Sequence, residues 1–363
     1  MQTIRVNLES RRYQIAIAAG LMDAAGAHIR GAVGDKARNA VIVSNPTVHK
    51  LYGLRLERSL KRAGFTTHKI LAGDGEKFKT IRSTELLYTF LIERRIERGD
   101  LILALGGGVM GDLAGFAAAT YLRGIKLIQI PTTLLAQIDS SIGGKTGVNH
   151  RLGKNLIGSF HQPALVLIDP EALITLPARE LRSGLFEAIK YGVIKDKKLF
   201  DRIGANIVAL KSADIAELTP LIISSCRIKA EVVEKDERES GLRRILNFGH
   251  TVGHALEAIT SYRRFLHGEA VGYGMRAASR VAELMGLFDP ENRKAVDDVI
   301  SSVGSLPDTR NLASRDIIAV MKRDKKVEAG KLAFVLPVDV GRVVIRSDVP
   351  PAIVRKALTD TLA

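Results

Sequence analysis

Apolar and polar positions follow two different rhythms along this chain, and the change from one to the other divides it. Near the start, residues 3–8 (TIRVNL) and 13–18 (YQIAIA) are β-rich runs on either side of Glu9-Ser10-Arg11-Arg12, which predicts a hairpin. Short runs at 40–43, 66–71, 101–105, 126–130 and 165–169 then alternate with helical segments near 46–63, 80–97 and 111–122. That exchange predicts a parallel sheet covered by helices. Such sheets bind ligands outside the carboxyl ends of their strands, so chemistry is expected in the loops that follow the runs.

Past Pro170 the strand rhythm stops. From Pro177 to about Lys325 the period is mostly helical, with breaks expected near Gly204, Pro220, Gly241, Gly286 and Pro307. KLAFVLP and RVVIR around Gly341 then predict a small hairpin before a final helix. The expected division is an α/β domain over residues 1–176 and a mainly helical domain over 177–363.

Composition narrows the function. A chain of 363 residues with 46% hydrophobic content has room for two domains and a sizeable core. Its single cysteine, Cys226, rules out an internal disulfide and a cysteine-rich zinc site, and fits a reducing compartment, the cytoplasm by default. MQTIRVNLES has no apolar region after its charges, and no apolar run approaches the roughly 20 residues of a membrane span, so neither secretion nor membrane insertion is expected. A net charge of +15 would suit nucleic acid, but the 54 basic residues are scattered and aromatic residues make up 5%. An anionic small substrate accounts for a positive cleft equally well.

Three loops carry candidate chemistry. Gly106-Gly107-Gly108-Val109-Met110-Gly111-Asp112 is a Gly-x-Gly-x-x-Gly between a strand and a helix, where backbone N–H groups and a helix N-terminus can meet a pyrophosphate. It follows the third strand of the alternating set and no acidic residue ends the next strand, so a variant of the Rossmann arrangement is implied. Gly73-Asp74-Gly75-Glu76-Lys77-Phe78-Lys79 offers carboxylates for ribose and lysines for phosphate, or is a solvated charged loop. The third loop runs from Pro131-Thr132-Thr133 through Asp139 and Gly143-Gly144-Lys145-Thr146 to Lys154-Asn155. It ends like a Walker A loop, but the first glycine that motif needs falls on Asp139, which excludes a P-loop.

In the helical half, His250 and His254 stand at i and i+4 and share a helix face, with His267 and Glu269 following. Thr251 occupies the place of the glutamate in His-Glu-x-x-His, so the zinc-hydrolase motif is absent. Glu187 and Lys190, at i and i+3, read alone as a surface ion pair.

Taken in order, GEKFK, GGGVMGDLAGFAAATYLRG, IPTTLLAQIDSSIGGKTGVN, GKNLIGSFHQP, EAIKYG and LNFGHTVGHALE closely resemble the 3-dehydroquinate synthase family, over nearly the whole chain. The resemblance implies a Rossmann-like nucleotide-binding α/β domain, a mainly α-helical metal-binding domain, bound NAD, zinc or cobalt, and a homodimer. It implies oxidation of 3-deoxy-arabino-heptulosonate 7-phosphate by NAD, phosphate elimination, reduction, ring opening and aldol closure. By motif, Glu187, His250 and His267 would hold the metal. NAD would meet Asp74, Glu76, Lys79, Gly108, Asp112, Thr132, Thr133, Asp139, Lys154 and Thr175, with Gly75, Lys77, Phe78, Val109, Met110, Gly111 and Lys145 in the same loops. Lys145, Asn155, Lys190, Lys229, Arg243, Asn247 and His254 would hold substrate, with His254 and Lys190 the candidates for proton relay. Arg123 would serve the partner subunit's site, and Lys325 or Lys326 the substrate phosphate. Phe186 and Ala188 depart from the family pattern beside Glu187.

Overall fold

The computed structural model describes residues 1–322, 327–328 and 331–362. Strands β1 (Gln2–Val6) and β2 (Tyr13–Ile17) pair antiparallel across a 3-10 turn at Glu9–Arg11. After α1 (Ala25–Val33), strand β3 (Asn39–Ser44) leads through α2 (Pro46–Val48) and a π turn at His49–Gly53 into α3 (Leu54–Arg62). The alternation continues with β4 (Thr66–Leu71), α4 (Ile81–Glu93), β5 (Leu101–Gly106), α5 (Gly108–Thr120) and β6 (Lys126–Pro131). Next come β7 (Lys145–His150) and β8 (Gly153–Phe160), a separate antiparallel hairpin, and then β9 (Leu165–Ile168). The main sheet has seven strands in the order β1-β2-β9-β6-β5-β3-β4, parallel except for β1 against β2.

The unbroken apolar run of β5 conceals a period of two. Leu101, Leu103 and Leu105 join one core with Ile42, Leu56 and Leu60, while Ile102 and Ala104 join another with Val41, Leu87 and Leu113. A strand covered by helices on both faces needs both sets apolar. At its amino end the buried Asp100 accepts from the N–H groups of Arg38, Asn39 and Glu97 and from the Asn39 amide. Burial pushes this carboxyl up, but those four donors outweigh it and hold the group below the usual carboxylate range.

The chain adds β4 on one side of β3 and then returns to place β5 on the other, so the winding reverses between β3 and β5. Ser44 Oγ donates to Leu105 O at 2.8 Å across this point. A crevice outside these two carboxyl ends is the ligand position such sheets provide.

The helical part contains α6 (Ala178–Lys195), α7 (Lys197–Ala205), α8 (Ile207–Lys211), α9 (Ile215–Lys235), α10 (His250–Ile259), α11 (His267–Leu284), α12 (Pro290–Val303) and α13 (Ser314–Met321). The short strands β10 (Val327–Glu328) and β11 (Lys331–Leu332), the hairpin β12 (Phe334–Asp339) with β13 (Arg342–Arg346), and α14 (Pro351–Leu362) follow. Pro220 does not break a helix as expected but lies inside α9. A proline there removes one backbone hydrogen bond, which the buried face of a 21-residue helix offsets. Among the described residues no helix is long and apolar enough to cross a membrane.

Two compact units result: Met1–Leu176 with Leu218–Glu237, and Pro177–Glu217 with Arg238–Ala363. A single cut after residue 176 would put 218–237 in the second unit. Its side chains instead bond the first: Cys226 Sγ donates to Gln137 O at 3.3 Å, and Glu234 Oε1 accepts from Asn7 N at 2.6 Å. In the second unit α11 meets its neighbours backbone to backbone. A Cβ at Gly268 would lie 1.9 Å from Ser183 O, and one at Gly274 1.7 Å from Gly249 O, so neither position admits a side chain.

Candidate active site

That close packing brings residues from α6, α10 and α11 to one point. Glu187 is fully buried, and its Oε1 lies 3.7 Å from His250 Nε2 and 3.6 Å from His267 Nε2. One donor atom from each of the three falls within 4.8 Å of the others. The far ring nitrogens are already committed: His250 Nδ1 faces Phe248 O at 3.1 Å and His267 Nδ1 faces Glu257 Oε2 at 3.1 Å. With Nδ1–H donated in this way, each Nε2 keeps its lone pair for a ligand. Glu187 forms an ion pair with Lys190, yet among the described residues neither of its oxygens accepts a hydrogen bond of proper geometry. A buried carboxylate left in that state beside two oriented imidazoles fits a divalent metal ion.

His254 stands edge-on to His250, ring centroids 5.3 Å apart, and forms a second group with Glu257 and His267. Burial alone would disfavour charge on His267, but the hydrogen bond and charge of Glu257, with Glu187, outweigh it and raise the imidazole above its ordinary value. An incoming metal ion competes with that proton. Glu257 was not among the residues picked from the sequence. It lies seven residues after His250 and three after His254, so all three share one face of α10. Nearby Arg243 is buried, and Asn247 Nδ2 donates to Glu239 Oε1 at 2.7 Å.

The first unit carries the other predicted residues, many of them in the loops that follow β4, β5 and β6. Helix α5 begins at Gly108, three residues earlier than expected, and has no side-chain cap. A Cβ at Gly107 would meet Thr133 Cγ2 at 3.1 Å, and one at Gly108 would meet Ser140 Oγ at 2.9 Å. Ser140 Oγ is buried without a hydrogen-bond partner among the described residues. Uncapped N–H groups, a bare glycine turn and an unpaired hydroxyl fit a phosphate group. Met110 points into the core and Gly111 packs on Gln129, so these two offer backbone only; Val109 is half-buried. Thr132 N donates to Gly106 O at 3.0 Å, and Thr133 Oγ1 accepts from Ala136 N.

In the 73–79 loop, Asp74 accepts from Asn45 Nδ2 at 3.1 Å and Thr47 Oγ1 at 3.2 Å. Gly75 has φ +94°. The Phe78 ring covers Gly73, and Lys77 Nζ lies 5.1 Å from that ring's centre. Lys79 is buried and pairs with Asp112 and Asn155 Oδ1. Burial raises the Asp112 carboxyl more than Lys79 lowers it. Lys229 Nζ donates to both the carboxylate and the backbone oxygen of Asp139, each at 2.7 Å. Lys145 opens β7 and is exposed, Lys154 Nζ lies 3.9 Å from Glu76, and Thr175 pairs with Tyr52. Arg123 is exposed in a tight turn with Leu122, both in the left-handed region at φ +65° and +49°. Lys325 and Lys326 lie outside the described residues.

Comparisons with known proteins agree with this geometry. Residues 69–183 match the family described as 3-dehydroquinate synthase N-terminal, and residues 184–327 its C-terminal counterpart. The chain is 52% identical to 3-dehydroquinate synthase of Gloeobacter violaceus over 100% of this chain and 99% of that one, and 49% identical to that of a Synechococcus species over 98% and 97%. Among solved structures it superposes with a TM-score of 0.88 on 2-epi-5-epi-valiolone synthase from Streptomyces hygroscopicus with NAD and zinc bound, at 30% identity and 98% coverage of both chains. A 2-deoxy-scyllo-inosose synthase complexed with carbaglucose-6-phosphate, NAD and cobalt gives 0.89 at 25% identity, covering 99% of this chain and 100% of that one. Across its full length, this chain belongs to the 3-dehydroquinate synthase family.

Proposed function

We propose that this chain converts 3-deoxy-arabino-heptulosonate 7-phosphate to 3-dehydroquinate and phosphate, a step of aromatic amino-acid biosynthesis, with NAD and zinc or cobalt as cofactors. The observation that carries it is the buried Glu187 carboxylate faced by two imidazole nitrogens, in a chain half identical to curated members of the family. When bound, NAD supplies a reversible hydride acceptor and the metal ion a Lewis acid.

The chain's own residues do the rest. Glu187, His250 and His267 hold the metal ion, with Glu257 orienting His267. The turn Gly107–Gly108 and the N-terminus of α5 take the dinucleotide's phosphates, and Asp74 and Glu76 take ribose hydroxyls. Lys145, Asn155, Lys229, Arg243 and Asn247 bind the substrate's carboxylate and phosphate, for which guanidinium and ammonium donors give charge-assisted bonds. His254 Nε2 and Lys190 Nζ move protons at the substrate hydroxyls, a task both groups perform when tuned by neighbouring charge.

A homodimer belongs to the same proposal. Among the described residues strand β8 pairs only with β7, leaving an outer edge, and Leu156 and Phe160 on it are exposed, as is Leu122. A second copy covering this surface supports a role for Arg123 in the partner's reaction. The single cysteine and the biosynthetic reaction support a cytoplasmic location.

The valiolone and inosose synthases favour one other reading, a cyclase acting on a phosphosugar without a carboxylate. One assay separates the two: phosphate release from the heptulosonate phosphate and from a neutral-headed heptulose or hexose phosphate, with metal ion and trace NAD. Release from the first without accumulating NADH is expected. Turnover of the second alone, or stoichiometric NADH, would overturn the proposal.

A further inference from the structure

Asn149 stands at an irregularity in the β7–β8 hairpin. Val148 pairs with Ile157 and His150 with Gly153, so Lys154, Asn155 and Leu156 all lie opposite this one residue. A bulge of this kind turns residues away from the ladder and re-aims them. Released from β8, Asn149 N donates instead to Lys79 O at 2.8 Å, and Asn149 forms a parallel bridge with Thr80. Its side chain makes two further bonds. Nδ2 donates to Glu76 Oε1 at 2.7 Å, and Oδ1 accepts from Asn155 N at 3.0 Å. The partners fix the amide's orientation, because a carboxylate can only accept and a backbone N–H can only donate.

Asn155 needs that support. Its φ of +55° lies in the left-handed region, which a residue with a side chain occupies at a cost. In this conformation its Oδ1 reaches Lys79, whose ammonium also pairs with Asp112. One half-buried asparagine therefore joins the loop that offers Glu76 and Lys79 to the bulge that offers Lys154 and Asn155.

We propose, resting on the reaction assigned above, that Asn149 is a positioning residue that links the NAD loop to the substrate-binding hairpin, so that the two binding events depend on the same amide. Its side-chain bonds run to Glu76 and Asn155, and it would act through them. Its Nδ2 governs Glu76 and hence NAD, and its Oδ1 governs Asn155 and hence substrate.

The two halves of the amide can be separated. In Asn149→Ala both bonds go, and the NAD Kd measured by calorimetry and the substrate KM should each rise about tenfold, the effect of one hydrogen bond with a charged or strained partner. Bound metal and melting temperature should stay at the wild-type level. Asn149→Asp keeps an acceptor for Asn155 N–H but opposes Glu76, so KM should return toward wild type while the NAD Kd stays raised. Both constants within twofold of wild type in Asn149→Ala would overturn the proposal. So would an Asn149→Asp protein that matches Asn149→Ala in both constants, whichever way the alanine variant folds. Failure of the family reaction would show differently, as wild-type protein that binds no NAD or releases no phosphate.

Discussion

A histidine holds a metal ion best when its far nitrogen is already occupied, and Glu257 does this for His267. Glu257→Gln, which keeps an acceptor but loses the charge, should weaken metal retention about tenfold, and Glu257→Ala about a hundredfold, measured by competition with a chelator. Wild-type retention in both would show that the carboxylate has no part in holding the metal. His250→Ala should lose metal and turnover together, whereas His254→Ala should keep metal and lose turnover; equal metal loss would erase the distinction between the two histidines. His250 and His254 were legible as a pair because histidines four apart share a helix face, and His267, on the next helix, joined them only by closeness in the sequence. Glu257 lies on that face as well, but one more acidic residue on a helix carries no mark until its partner is known.

At the scale of elements, the alternation of apolar runs and helical segments specified the parallel sheet, because strands buried on both faces must be apolar throughout. The β7–β8 hairpin was not legible for the converse reason. β8 is exposed along most of its length and rich in glycine and polar residues, so no apolar run marks it. The placement of residues 218–237, which include most of α9, was hidden too, since a helical period does not say which unit a helix packs against. Gly268 shows how tightly the helices carrying Glu187 and His267 are set. Gly268→Ala would drive a methyl group into the Ser183 carbonyl, and a loss of about 3 kcal/mol or more in urea unfolding is expected, with weaker metal binding. Wild-type stability would mean that α6 and α11 have room to separate.

Asp100 should contribute to the acid limit of the sheet. Its pKa is lower folded than unfolded, so its contribution is full above the unfolded value of about 3.9 and is lost as pH falls through the folded value below that. Asp100→Asn should lower stability at pH 7 and flatten its decline below pH 4 in unfolding measurements. An acid limb as steep as wild type's would assign that decline to other carboxylates.

On the scale of the whole molecule, Arg123 tests the proposed dimer. Arg123→Ala and His254→Ala proteins should each be inactive alone. If the arginine acts across the interface, one site in each mixed dimer keeps every residue intact, and an equal mixture should recover about a quarter of wild-type activity. No recovery would confine Arg123 to its own subunit.

The open edge of β8 has a consequence of its own for the newly made chain. Leu156 and Phe160 are exposed on a strand that pairs only with β7 among the described residues, and any extended segment can add to such a strand, not only a second copy. If two copies pair here as proposed, correct assembly competes with off-pathway sheet growth at this strand. Because pairing of two copies is second order and larger aggregates grow faster still with concentration, refolding yield should pass through an optimum as the chain is diluted.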